Sequence, residues 1–94
     1  MARQVWAGVD AGKTAHHCVV IDTDGEQLLS RRIDNDEPAL TDLIATVGDI
    51  AAGGEVTWAM DLNAGGGALL IALLIDAQQR LLYLPGRTVH HASK

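Results

Sequence analysis

Apolar and polar positions alternate with a period of two through most of the first third of the chain, which predicts three short strands. They cover residues 4–9, 15–22 and 26–33 and read as an antiparallel meander. Thr23-Asp24-Gly25 makes a tight turn of the Asp-Gly kind between the second and third. In strand three, Gln27, Leu29 and Arg31 share one face and Leu28, Ser30 and Arg32 the other. It is the most polar of the three, as an edge strand is. The period then changes. Leu40, Leu43, Ile44 and Val47 follow at i, i+3, i+4 and i+7, with Asp42 and Thr46 off the stripe. Asn35-Asp36-Glu37-Pro38 supplies the acidic, proline-bearing start of that helix, and Gly48 and Gly53-Gly54 its end.

Residues 55–60 form strand four. The loop Asn63-Ala64-Gly65-Gly66-Gly67 leads into a second helix over about 68–79. That helix is apolar on all sides through Ile75, so it should be covered on more than one face. Strand five spans 81–84 and closes on Pro85-Gly86, and 87–94 begins a third helix. The order is β-β-β-α-β-α-β. Helical connections to strands four and five favour parallel pairing. The expected fold class is therefore α/β, a mixed sheet ordered 3-2-1-4-5 with strand two antiparallel. This is the ribonuclease H-like architecture.

Ninety-four residues make one domain, so 1–94 is read as a single unit. The apolar share of 48% marks a globular chain, and with aromatics at 3% and no Phe the core falls to Val, Ile, Leu and Ala with Trp6, Trp58 and Tyr83. Seven basic residues against twelve acidic ones give a net charge of −5, which argues against a surface that grips nucleic acid through its phosphates. It leaves open a nuclease-type centre, where clustered carboxylates are needed and a cation meets the phosphate. The single Cys18 excludes a disulfide framework within the chain and points to a reducing compartment. No signal peptide is visible, and the apolar run 68–75 is too short to span a bilayer. The expected location is the cytoplasm, away from membranes.

The candidate chemistry lies where strands end. Val5-Trp6-Ala7-Gly8-Val9-Asp10 delivers a carboxylate at the open end of a sheet, and Val56-Thr57-Trp58-Ala59-Met60-Asp61 repeats the arrangement. An Asp after a strand is often only a turn former. Two of them on neighbouring strands repel each other unless a cation sits between, and Mg²⁺ suits such oxygen ligands. Ala7–Thr14 satisfies a loose phosphate-loop pattern, but such a loop must open a helix, and here a β-branched strand follows. Lys13 and Thr14 are then exposed hairpin residues. Gly65, Gly66 and Gly67 read either as a plain loop or as room for a nucleic-acid backbone to approach the helix start. His16 and His17 point to opposite faces of a strand and cannot share an ion. Asp22, Asp24 and Asp34 flank turns and read as solvated. Trp6 and Trp58 read as core residues.

Three stretches carry a family likeness: Trp6–Asp22, Thr57–Leu74 with its Asp-Leu-Asn-Ala-Gly-Gly-Gly centre, and Tyr83–His91. In this order they resemble the amino-terminal part of bacterial insertion-sequence transposases of the DEDD class, whose nuclease domain is RuvC-like. The resemblance implies a DNA recombinase that excises and inserts a mobile element. It further implies Mg²⁺ or Mn²⁺ as cofactor, DNA and an element-encoded guide RNA as partners, and a homo-oligomer. Asp10 matches the first acidic residue of the tetrad and Asp61 the second, which is Glu in many relatives. Lys13 and the glycines 65–67 are the candidate nucleic-acid contacts. The last two aspartates, the coiled-coil region and the domain with the family's serine nucleophile are expected beyond Lys94. The chain accordingly reads as a truncated product that binds metal weakly and cleaves nothing alone. Two other readings compete with this one. A sugar-kinase or actin-like ATP-binding lobe also begins with Gly-Val-Asp-Ala-Gly and a hairpin, and a non-catalytic fragment could self-associate through its sheet edge and apolar helix.

Overall fold

The computed structural model describes residues 3–61 and 66–84. Seven elements follow one another: β1 (Val5–Asp10), β2 (Ala15–Asp22), β3 (Gln27–Asp34), α1 (Glu37–Ala51), β4 (Val56–Asp61), α2 (Ala68–Asp76) and β5 (Arg80–Leu84). The five strands form one sheet in the order β3-β2-β1-β4-β5. β1 runs antiparallel to β2, as β2 does to β3, while β4 is parallel to both β1 and β5. This is the expected ribonuclease H-like arrangement, with the polar third strand at an edge.

Side-chain alternation divides the sheet into two unlike faces. Val5, Ala7 and Val9 of β1, Cys18 and Val20 of β2, and Trp58 and Met60 of β4 are buried on one of them. Leu40, Leu43, Val47 and Ala51 of α1, with Leu70 and Leu74 of α2, complete the same core. The opposite face carries Trp6, Gly8 and Asp10 of β1 and His17, Val19 and Ile21 of β2, none of them fully buried. Trp6 is therefore only half-buried and lies across the sheet from Trp58, in place of the shared core position expected for both. Trp58 is fully buried, and its indole Nε1–H donates to Gln79 Oε1 at 3.1 Å, which ties β4 to the turn before β5.

Local chemistry sets the element ends. The Asp22–Glu26 hairpin closes through a three-residue loop whose Gly25 takes φ +81, and the Asp22 carboxylate accepts from the Asp24 and Glu26 N–H groups. Asp36 caps α1 by accepting from Ala39 N–H at 2.9 Å, with Pro38 in the first turn. α1 runs through Gly48 and stops at Ala52, which adopts a left-handed conformation. The second helix ends at Asp76, short of the expected 79, because Gln78 turns to φ 57 and sends the chain into β5.

The apolar helix also departs from expectation. α2 buries Leu70 and Leu74 but leaves Leu69 at 36% and Ile75 at 62% exposure, so among the described residues it is covered on one side only. Among those residues no helix is long and apolar enough to cross a membrane. The expected third helix over 87–94 and the side chain of Tyr83 lie outside the described residues.

Burial gives the first expected outcome. Leu43→Ala should cost roughly 2–5 kcal/mol in urea unfolding, whereas Ile75→Ala should stay within about 0.5 kcal/mol of the parent. Equal losses at the two positions would contradict the one-sided packing of α2. A second outcome concerns Cys18, whose thiol burial pushes up to about 11 from an ordinary 9.0, with the Arg31 charge acting in the opposite direction. The fold favours the neutral thiol, so this stabilisation is complete below pH 9.0 and is lost as pH rises through about 11. Urea titrations across that window should show stability falling by up to about 1.4 kcal/mol per pH unit, and Cys18→Ala should flatten the slope.

Candidate functional site

The last paired positions of the two central parallel strands are Val9 and Met60. Both point into the core, so the next residue on each strand points to the opposite face. Those residues are Asp10 and Asp61, the final residues of β1 and β4, and both are exposed. The backbones of neighbouring strands run about 4.8 Å apart. The register thus sets Asp10 and Asp61 at neighbouring strand ends, at the C-terminal mouth of the sheet and on one face. Among the described residues no cluster of three or more His, Cys, Asp or Glu side chains could hold a metal. Two exposed carboxylates suit a hard cation that keeps several of its own waters.

Near Asp10 lies a clamp whose members are far apart in the chain, so that no local sequence pattern signals it. His16 is 2% exposed, on the core side of β2. The Asn35 amide Nδ2 donates to Lys13 O at 2.9 Å and to Gly66 O at 3.2 Å, which leaves its Oδ1 facing His16 Nε2 at 3.1 Å. The imidazole must therefore carry its proton on Nε2, and its Nδ1 accepts from Gly12 N–H at 3.1 Å. One buried ring and one amide so bind the loop after Asp10 to the loop that follows Asp61. Backbone bonding adds to it, with Asn35 N–H donating to Thr14 O at 3.0 Å.

Close packing accounts for part of the glycine run. A Cβ on Gly66 would collide with the Gly12 carbonyl and crowd Lys13 Cα, and one on Gly67 would press on the Met60 methyl. Gly67 also occupies the N-cap of α2 without a side-chain cap. Gly65 lies outside the described residues. Lys13 is exposed at the hairpin tip, beside Gly12. The Ala11–Thr14 segment joins two strands and opens no helix, as expected for a hairpin and not for a phosphate loop.

A shallow cavity of about 240 Å³ adjoins Asp10 and is lined by Ala11, Gly12, Ala15, His16, His17 and Arg32. The sequence argues against His17 as a metal ligand and marks Arg32 only as an edge-strand residue. Their nearness to Asp10 was legible only through strand register. As expected, His16 and His17 face opposite ways, one buried and one exposed.

A family model described as a transposase matches residues 7–94. The chain is 70% identical over 93 residues to the insertion element IS900 uncharacterized 42 kDa protein of Mycobacterium paratuberculosis, covering 99% of this chain and 23% of that protein. It is 42% identical over 90 residues to the insertion element IS116 uncharacterized 44.8 kDa protein of Streptomyces clavuligerus, covering 96% and 22% respectively. Against the insertion element IS110 uncharacterized 43.6 kDa protein of Streptomyces coelicolor it is 37% identical over 83 residues, or 87% and 20%. The chain thus spans between 20% and 23% of the length of these relatives.

The clamp generates a prediction of its own. Asn35→Ala strands the buried His16 N–H and frees two loop carbonyls, at an expected cost of roughly 1–3 kcal/mol. Hydrogen exchange at the Gly12 amide should quicken beyond the global change. An amide that exchanges as slowly as in the parent would show that Asn35 does not hold the loop.

Proposed function

The chain belongs to the IS110 family of insertion-element transposases, and on that premise we propose that it supplies the first two carboxylates of a nuclease centre. The whole protein, in this reading, moves an insertion sequence by metal-dependent DNA strand cleavage and exchange. One observation carries the proposal: the β1–β4 register sets Asp10 and Asp61 at adjacent strand ends on the same exposed face.

Mg²⁺ or Mn²⁺ is the cation whose chemistry fits this pair, with Asp10 and Asp61 as the residues that would hold it. When bound, such an ion polarises a phosphodiester and helps to activate the attacking oxygen. The chain's own part is positional. β1 and β4 fix the two carboxylates from the core side, and the His16–Asn35 clamp holds the loops that follow them. Lys13, Gly66 and Gly67 border the approach for nucleic acid in this reading. The partners of the whole protein are then DNA and a guide RNA, and its working form is a homo-oligomer. Two carboxylates make a weak site, so this chain alone binds metal loosely and does not cleave DNA.

Titration with Mn²⁺, followed by paramagnetic broadening of amide signals, tests the reading. Broadening should centre on Asp10 and the residues after it. Asp10→Asn and Asp61→Asn should each weaken binding roughly tenfold, the order expected for one lost charge at close range, while Asp22→Asn should change nothing. Broadening spread evenly over the acidic turns, indifferent to Asp10 and Asp61, would reject the centre.

A further inference from the structure

Strand register extends the acidic pair into a row across four strands. Asp10 pairs with His17 of β2, and His17 pairs with Arg32 of β3. Residues directly opposite one another in a sheet share a face. His16, Cys18 and Val20 occupy the core side of β2, so His17 stands with Asp10 on the open side, and Arg32 stands beside it. The order along the mouth is therefore Asp61, Asp10, His17, Arg32: two anions, a ring with N–H capacity, then a guanidinium. Asp10, His17 and Arg32 also line one cavity, together with Gly12 and Ala15.

We propose that His17 and Arg32 form a seat for the phosphodiester backbone of the DNA strand, beside Asp10 and leading to the acidic pair. This proposal rests on the nuclease reading above and adds to it the residues that hold the substrate strand. The pair of carboxylates repels a phosphate wherever no cation intervenes, so a strand that reaches it needs a positive group close by. Seven basic residues against twelve acidic ones argue against a broad basic surface that would provide one. Arg32 stands two strand spacings from Asp10, roughly 10 Å, a gap that a guanidinium and a phosphate together can fill.

Both side chains are available for the task. Among the described residues Arg32 has one ion-pair partner, Asp34 at 3.4 Å, and both members are more than 60% exposed, at 69% and 67%. Such an exposed pair is easily exchanged for a phosphate, which offers the guanidinium fork two oxygens. His17 Nε2 lies 2.8 Å from Ser30 Oγ, so the hydroxyl orients the ring on the open face. Its other ring nitrogen has no hydrogen-bond partner among the described residues. The bland alternative is that Arg32 is an edge-strand charge that discourages sheet-to-sheet pairing. Arg31 separates the two readings. It is the adjacent residue with the same charge and exposure, but it pairs with Cys18 and so belongs to the other face.

The test is binding of a fluorescently labelled single-stranded DNA oligonucleotide to this chain in Mg²⁺, by polarisation at several salt concentrations. Arg32→Gln should weaken binding by about fivefold and lower the log–log salt slope by about 0.7, the value for one phosphate contact on a single strand. His17→Gln should weaken binding to a smaller extent, and Arg31→Gln should alter neither quantity. Equal effects of Arg31→Gln and Arg32→Gln would overturn the proposal, as would no measurable binding by the unsubstituted chain. Tighter Arg32-dependent capture of RNA of the same sequence would overturn the assignment to DNA. Mn²⁺ titration of the same variants separates the two readings. Mn²⁺ binding that depends on Asp10 and Asp61, beside DNA binding indifferent to Arg32, sinks the seat and leaves the metal centre standing. The reverse pattern sinks the metal centre and leaves the seat.

Discussion

The parallel register between β1 and β4 is the constraint from which the rest of the site follows. Ala7 lies opposite Trp58 and Val9 opposite Met60, and all four are buried in one core. The apolar contacts that stabilise the domain therefore also decide the direction of the next residue on each strand. A slip of one residue would turn Val9 or Met60 to water and drive a carboxylate inward, at a cost no small domain can sustain. Packing and chemistry are thus coupled by geometry alone. The acidic pair needs no special strain to exist, because burying two hydrophobic neighbours places it.

A second level of order comes from a buried polar group. His16 interrupts an otherwise apolar face, which is costly unless every ring nitrogen is satisfied. Here both are, one by Gly12 N–H and one by Asn35, so the ring costs little and gains a connection. Asn35 in turn reaches Lys13 and Gly66. The Ala11–Thr14 segment after β1 and Gly66 ahead of α2 belong to neither strand nor helix. The clamp joins them, and the absence of a side chain at Gly66 lets the two backbones meet.

Much of this was legible in the sequence, and the reasons are physical. Alternation and helical periodicity are direct consequences of burial, so the order of elements and the pairing of strands could be read from residues such as Val5, Leu40 and Leu43. Asp10 and Asp61 stood out because each ends a strand in the same phase. What escaped was tertiary. Nothing local shows that Asn35, a residue in the approach to a helix, will cap a histidine nineteen positions earlier in the chain. The helix expected over 68–79 overshoots because the apolar run gives no sharp stop after Ile75, while Gln78 adopts a conformation that composition does not betray. Reading Trp6 as a core residue overlooks its phase, which matches Asp10 and not Val9. His17 and Arg32 became neighbours only once the β2–β3 register was known.

A nuclease centre at this mouth requires that the two strand-end carboxylates share one cation. The most direct measurement is anomalous diffraction from crystals of the chain grown with Mn²⁺. The predicted result is a single strong peak between the side chains of Asp10 and Asp61, within coordinating distance of both. A peak seated elsewhere, or these two carboxylates directed away from one another with no peak between them, would contradict it.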